Sequence, residues 1–389
     1  MARAIAEGTT CGQHHGQCGS VRQRAVFSTF GIILFAAAAR AAERQIHSTR
    51  LFCSRLRTRR FEDWHLGTVI RAFQRGDEDS ILAFHREAFP DHPPRTRAHF
   101  DWKFHHNPAG PTEAALAFRG ERCVAFYGCS PTRCVLRGEP IVAGLQTDIA
   151  VAPDLRRGLT GGRLLIDVCK EYTRLFVAGT KSLEWGFPEP TLVSVGERHL
   201  RIRALRDVCW IVRSSNRASA PPEGIEVIQG TVTPVGVDDL WRRCASEHQL
   251  YTQRDARYLD WRYARHPDVT YSAFEAYRSG SLCGLAIVRS GGPDPRLLTI
   301  MEWLVPRGDT DVEHAMLFQL TDEARNRGLT YLGIWLPLSL PHARHLQEAH
   351  GFFAHGSPYL EYYRAWGSDS ARRWLAENWF QTTGDIDFF

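Results

Sequence analysis

Apolar and polar positions first fall into a regular pattern near residue 68. The stretch 69–73 (VIRAF) alternates as a strand does, and the period then lengthens to that of a helix. Ile81, Phe84, Ala88 and Phe89 share one face of it, with Asp77 placed to cap its start. A proline-rich turn (Pro90, Pro93, Pro94) follows. Short apolar runs at 114–119, 123–128 and 141–151 are separated by turn signals at Gly120-Glu121 and 137–140 (RGEP). A helical period returns over 162–176, and a short strand is predicted at 182–185. Meander, helix, strand and helix together predict an α/β (α+β) layer architecture.

The same order recurs downstream. A helix is predicted at 238–246, strands at 271–278, 282–289 and 297–305, a helix at 312–327, and strands at 331–336 and toward Tyr363. A shift of 159 positions lays Asp101, Trp102, Lys103 and Phe104 on Asp260, Trp261, Arg262 and Tyr263. In the same register Pro108 falls on Pro267, and Ala117-Phe118-Arg119 falls on Ala276-Tyr277-Arg278. Matched aromatics, charges and a proline in one register indicate an internal duplication. The predicted organisation is a leader (1–65), a first domain (66–213), a linker (214–224), a second domain (225–365) and a tail (366–389).

Composition narrows the function. With 389 residues, 43% hydrophobic and 23% charged, the chain has the balance of a globular protein. Its net charge of +5 is concentrated in residues 1–60, which hold ten Arg and two acids; residues 61–389 are at −3. A nucleic-acid surface needs a cationic stripe on the folded body, so nucleic acid is not an expected partner. Most of the ten Cys lie in apolar runs and read as small hydrophobes of a reducing compartment. In the leader, Cys11, His14, His15 and Cys18 offer ligand types but lack a supporting shell, and no metal cofactor is expected. The uncharged run 25–39 is short for a membrane span, and no stable membrane insertion is expected. It imitates a secretory or organelle signal. A cytoplasmic protein with a dispensable leader is the expectation.

The segment that carries chemistry is 146–165 (QTDIAVAPDLRRGLTGGRLL): a strand, a tight turn and a helix that begins at glycines. Gly158, Gly161 and Gly162 allow close backbone approach. Helix N-terminal amides favour a phosphate, and Arg156, Arg157 and Arg163 add charge. A plain solvated turn is the other reading of this composition.

The segment resembles the cofactor motif of the GNAT acetyltransferases, an Arg/Gln-x-x-Gly-x-Gly/Ala loop after a Val-x-Pro-like strand end. It aligns as Arg156, Arg157, Gly158, Leu159, Thr160 and Gly161 after Val151-Ala152-Pro153. The chain is further similar to a two-lobed GNAT-like subfamily through Trp102-Lys103-Phe104, Asn107-Pro108-Ala109-Gly110, Gly186-Phe187-Pro188, and Trp261-Arg262-Tyr263 with His266-Pro267. The likeness covers about residues 66–365. It implies two tandem GNAT-like acyl-CoA N-acyltransferase domains, each a mixed, mostly antiparallel sheet flanked by helices.

The resemblance also implies a site. Ile149, Ala150 and Val151 would hydrogen-bond the pantetheine arm of acetyl-CoA as an added strand does. The amides of Arg156, Arg157, Gly158, Leu159, Thr160, Gly161 and Gly162 would hold the pyrophosphate. An amine acceptor, a small molecule or sugar amine, would attack the thioester directly, with Asp148 as proton acceptor. A surface or capping acid is the other reading of Asp148. Two departures stand out: Leu159 occupies the motif's second glycine position, and Val193 stands where related enzymes often carry a tyrosine.

The second domain lacks the loop and carries Asp309 and Asp311 in its place, so it is read as structural. Trp102 and Trp261 suggest ligand stacking, although aromatics at helical spacing usually belong to a core. The tail either docks on a lobe or supplies acids to the acceptor. Acyl transfer is the function the sequence supports best. A non-catalytic acyl-CoA-binding module and a tandem aminoacyl transferase are the alternatives, and oligomeric state is not legible.

Overall fold

A computed structural model describes residues 67–157, 159–177, 183–216, 222–232, 235–365 and 372–386. The leader's Cys/His cluster and its apolar run lie outside the described residues. Two lobes repeat one order of elements, with a short added strand, Leu250–Thr252, in the second. The first holds β1 (Thr68–Ala72), α1 (Glu78–Ala88), α2 (Arg97–Phe104), β2 (Glu113–Arg119), β3 (Arg122–Leu136), β4 (Glu139–Val151), α3 (Leu159–Phe176), β5 (Leu183–Gly186), α4 (Pro190–His199) and β6 (Arg203–Ser214). The second holds β7 (Glu226–Gly230), α5 (Val237–Ala245), β8 (Leu250–Thr252), α6 (Ala256–Leu259), β9 (Ser272–Arg278), β10 (Ser281–Ser290), β11 (Leu297–Leu304), α7 (Thr310–Asn326), β12 (Tyr331–Trp335), α8 (Pro341–His350) and β13 (Phe353–Ala365). The chain ends in α9 (Arg372–Asn378), β14 (Trp379–Phe380) and a 3-10 turn (Thr383–Asp385).

The predicted periods explain these elements. α1 buries Ile81, Phe84, His85 and Ala88 along one face. In α3, Leu164, Leu165, Val168, Cys169 and Tyr172 are buried, the i, i+4, i+8 stripe of a helix laid on a sheet. β3 is buried without a break from Cys123 to Pro131, as a central strand covered on both faces is. One local expectation is corrected. Asp77 stands at the helix start but makes no capping bond to the helix. Its carboxylate instead accepts from Arg71 and from the Gln74 amide, because a bidentate arginine is the stronger partner.

The strand order is β1-β2-β3-β4-β5-β13-β6-β12-β11-β10-β9-β7, one sheet running through both lobes. Each lobe is an antiparallel meander with one parallel pair, β4–β5 in the first and β11–β12 in the second. The lobes exchange their last strands. β6, which ends the first lobe in sequence, pairs with β12 of the second. β13, which ends the second, pairs with β5 of the first, and β6 and β13 pair with each other at the seam. Buried charges fasten the exchange: Arg364 of β13 binds Glu184 of β5, and Arg206 of β6 binds Glu361 of β13 at 2.6 Å. Such pairs are costly to break from one side, because the remaining charge has no water to turn to.

The lobes also meet through the repeated aromatic helices. Trp102 and Trp261 stack with ring centroids 5.1 Å apart and planes 16° from parallel. Each indole N–H donates to the other's backbone carbonyl, at 2.7 and 3.0 Å. These tryptophans therefore build the seam between lobes and leave no free face pair for a ligand to stack between.

The tail docks on both lobes: Leu375 and Trp379 pack with Leu183, Trp185 and Leu205 of the first, and its last turn enters the second. Thr382, Thr383, Gly384 and Asp385 are buried, and Asp385 pairs with Arg254, whose Nε also binds Glu302 at 2.7 Å.

Candidate active site

The site begins with an irregularity in β4. Phe126 of β3 faces Ala150 and Gly128 faces Thr147, so Asp148 and Ile149 together oppose Tyr127 alone. This is a β-bulge, which bends the strand and raises its twist. Asp148 takes a left-handed backbone (φ 58°), a strained conformation for a residue with a side chain. β4 pairs with β5 only at Gly144–Glu184 and Leu145–Trp185. Beyond that point β4 continues to Val151 with β3 as its sheet partner, and the β5 side of the strand opens.

The opening leads into a cavity of about 950 Å³. One wall is Gln146 to Ile149 of β4 with Gly186, Phe187 and Pro188 after β5. The second lobe contributes Trp261, Arg262, His266 and Arg289, and the tail contributes Gly384 to Ile386. The site is thus composite, and the second lobe and tail shape the side that faces the bulge.

Asp148 sits in this wall, its side chain buried among two cations and a histidine drawn from three segments. Its carboxylate pairs with Arg95 of the loop before α2 and with Lys103 of α2, whose Nζ is 3.2 Å away. His85 of α1 places Nε2 at 3.9 Å, and Arg95 also reaches His85 Nδ1 at 3.3 Å. Burial alone would raise the Asp148 pKa, but Arg95, Lys103 and His85 outweigh it and hold the carboxyl well below the usual range. Burial pushes His85 down to about 3, so its ring is neutral at physiological pH. His99 of α2 bridges to Asp268 of the second lobe at 2.5 Å, close to the tryptophan seam.

Sequence reasoning found Asp148 and missed its partners. Arg95, Lys103 and His85 precede it by 45 to 63 positions on other elements, and no spacing rule joins them. Lys103 alone carried a signal, as part of the repeated aromatic segment. The low pKa keeps Asp148 ionised, and a carboxylate held this far down is a weak proton acceptor.

The phosphate-loop residues lie at the far end of β4, outside the cavity wall. Arg156 is committed locally, its Nε donating to the Val151 carbonyl at 2.7 Å and its Nη2 to the Ala88 carbonyl at 2.6 Å. Its side chain holds the turn's shape through these two carbonyls. Arg163 pairs with Asp167 at 2.9 Å. Gly161 answers a packing need: a Cβ there would lie 2.6 Å from the Leu155 carbonyl oxygen and 2.9 Å from Arg156 Cα. A Cβ at Gly162 would meet nothing nearer than Val195 at 3.9 Å. Gly158, and the side chains of Leu159 and Thr160, lie outside the described residues. Val193 packs against the first lobe's core. Two phenols reach the cavity wall, Tyr258 and Tyr359.

In the second lobe the equivalent gap is filled. β11 pairs with β12 only through Leu297, Leu298 and Thr299. Past that point the tail enters: the Trp335 amide donates to Thr383 Oγ1 at 3.0 Å, and Thr382 donates to Glu302 at 2.7 Å. At the start of α7, Asp309 accepts from the Val312 amide at 3.4 Å and binds Arg278 at 2.6 Å. The protein's own carboxylate occupies this helix end.

Comparison with known proteins agrees with this geometry. The acetyltransferase (GNAT) domain family matches residues 69–174. No curated protein matches the chain. Among solved structures, a conserved protein of unknown function from Enterococcus faecalis V583, described as a probable N-acyltransferase, is 14% identical with a TM-score of 0.58. That match covers 77% of this chain and 72% of the other. A GCN5-related N-acetyltransferase from Anabaena variabilis is 11% identical, TM-score 0.55, covering 76% and 73%. The N-myristoyltransferase of Saccharomyces cerevisiae, solved with bound myristoyl-CoA, is 10% identical, TM-score 0.51, covering 78% and 80%. At these identities the structures speak for the fold, and the family match speaks for the first lobe. Residues 69–174, in the first lobe, thus match the acetyltransferase (GNAT) domain family, and the two-lobed fold is similar to that of these solved structures.

Proposed function

We propose that the first lobe binds an acyl-CoA, acetyl-CoA or another short-chain form, and transfers the acyl group to an amine acceptor. The observation that carries this reading is the contrast between the two lobes. The gap beside β4 is open and leads to the cavity, whereas the matching gap beside β11 is filled by the tail. In the proposed complex the pantetheine arm lies along Ile149, Ala150 and Val151, and the pyrophosphate lies at the amides of residues 156–162. The thioester then reaches the bulge, and the acceptor enters from the side lined by the second lobe.

Asp148 acts in this scheme as a fixed negative charge that positions the acceptor amine, with Arg95 and Lys103 setting its orientation. Catalysis rests mainly on holding the amine and the thioester in line. The C–N bond forms as the C–S bond breaks, and the departing CoA thiolate, a tolerable leaving group near neutral pH, takes up directly or through water the proton that the amine loses, so the scheme does not need a tyrosine at Val193.

The test combines native mass spectrometry for retained CoA with thiol release from acetyl-CoA across an amine panel. Gly162→Asp places a carboxylate at the first turn of α3 where space exists. The expected result is acceptor-dependent thiol release by the parent protein and loss of CoA retention in the variant. CoA binding without thiol release for any amine would favour the binding-module reading. Unchanged binding in Gly162→Asp would remove the phosphate site from this loop.

A further inference from the structure

A second cluster of chemically capable side chains lies away from the cavity, where the start of α7 meets the end of α8. Glu313, in the first turns of α7, is buried, with its side chain 4% exposed. Its Oε2 lies 2.7 Å from His345 Nε2 and 3.1 Å from His350 Nε2. The three ligand atoms all fall within 4.8 Å of one another. His350 is buried, and His345 is about one-third open to solvent. The ring of His350 is held edge-on by His314, at 4.8 Å between centroids. Gly351, in a left-handed conformation (φ 67°), ends α8 directly after His350.

Two features of this arrangement point to a cation. Both imidazole nitrogens converge on one carboxylate oxygen. Among the described residues, no Arg or Lys pairs with Glu313, so a buried carboxylate is faced by histidines alone. Ligands about 2.0–2.1 Å from a tetrahedral zinc lie about 3.3 Å apart, a separation within the spread seen here.

We infer that Glu313, His345 and His350 form a site for a divalent transition-metal ion, best suited by its two nitrogens and one oxygen to Zn²⁺. Three protein ligands leave one position for water on the open side of His345. The ion would tie α7 to α8 in the lobe that lacks the phosphate loop, and it lies outside the proposed acyl-transfer cavity. The spacing of the ligands, a His pair five apart on one helix and a Glu from another, matches no short motif, so the sequence did not single it out.

The experiment uses the untagged full chain, stripped with EDTA and then dialysed against Zn²⁺, beside Glu313→Gln and His345→Ala. Zinc content by elemental mass spectrometry should be one equivalent higher in the parent than in either variant. The comparison removes any zinc held by Cys11, His14, His15 and Cys18, which all three proteins share. Co²⁺ should give a tetrahedral visible band in the parent that each variant loses. His345 is partly open, so His345→Ala is expected to keep the parent's circular dichroism and acyl transfer while losing the metal. Equal zinc content in parent and variants, or no zinc in the parent, would overturn the site.

Discussion

Trp102 and Trp261 stand 159 residues apart in sequence and stack face to face, each indole N–H bound to the other's main-chain carbonyl. The offset is the register of the internal repeat, so the duplication and the lobe seam are the same feature seen twice. Equivalent residues meet each other across the seam, as they do across a two-fold axis. Replacing Trp102 with Ala removes a buried ring and its indole N–H bond to the Trp261 carbonyl, while the carbonyl of residue 102 remains to accept from Trp261. The expected loss is about 3–5 kcal/mol, read as a lower denaturant midpoint. A Trp102/Trp261 double-mutant cycle should show coupling, since the residues touch. Additive single effects would mean the pair acts independently.

The tail is held by Arg254, which is fully buried between Glu302 and Asp385. Arg254→Met keeps most of the volume but leaves two buried carboxylates facing each other. A loss of about 3–5 kcal/mol is expected, together with faster proteolysis of residues 372–386. The same variant should alter acceptor KM, because Asp385 and Ile386 line the cavity.

His85 gives stability a pH dependence with a defined sign. The unfolded chain binds a proton near pH 6.5, whereas the folded ring, buried beside Arg95 and Lys103, does so only near about 3. Between those values the unfolded state holds more protons, so acid favours unfolding. The contribution is fully present above pH 6.5 and declines toward pH 3, with a slope of at most about 1.4 kcal/mol per pH unit. Urea midpoints measured from pH 7 to pH 4 should fall less steeply in His85→Gln. Parallel curves would exclude His85 as the source.

Asp148 and its cations can be separated by kinetics. Asn accepts a left-handed backbone well, so Asp148→Asn keeps the bulge while removing the charge. The expected outcome is a fall of about 10²-fold or more in kcat, with CoA affinity close to the parent's. A change confined to CoA affinity would place Asp148 in cofactor binding instead.

The two loop glycines should respond oppositely. A methyl at Gly161 meets backbone at 2.6 Å and must distort the turn, whereas one at Gly162 fits. Gly161→Ala is expected to cost about 1–3 kcal/mol and to abolish CoA retention. Gly162→Ala should be neutral or gain up to about 1 kcal/mol from helix propensity. Thermal midpoints and native mass spectra of the pair check both.

The sequence by itself did not mark β6, β7, β8 or α8, but it determined the meander and the strand–turn–helix of the first lobe, the repeat register and the position of the turn before α3. These are written in short-range patterns, where burial and backbone geometry act over a few residues. Boundaries shifted by one to three positions at several elements, as at α3, which starts at Leu159 rather than residue 162. The tertiary structure alone decided that β6 and β13 change places, that the tail fills the second lobe's gap, and that Arg95, Lys103 and His85 close on Asp148. Each of these depends on which segments meet in space, because strand pairing and charge pairing are indifferent to separation along the chain. Asp148 could be read as a candidate from its place beside the loop. Its pKa could not, since that is set by neighbours from three other segments and by the burial of its own side chain.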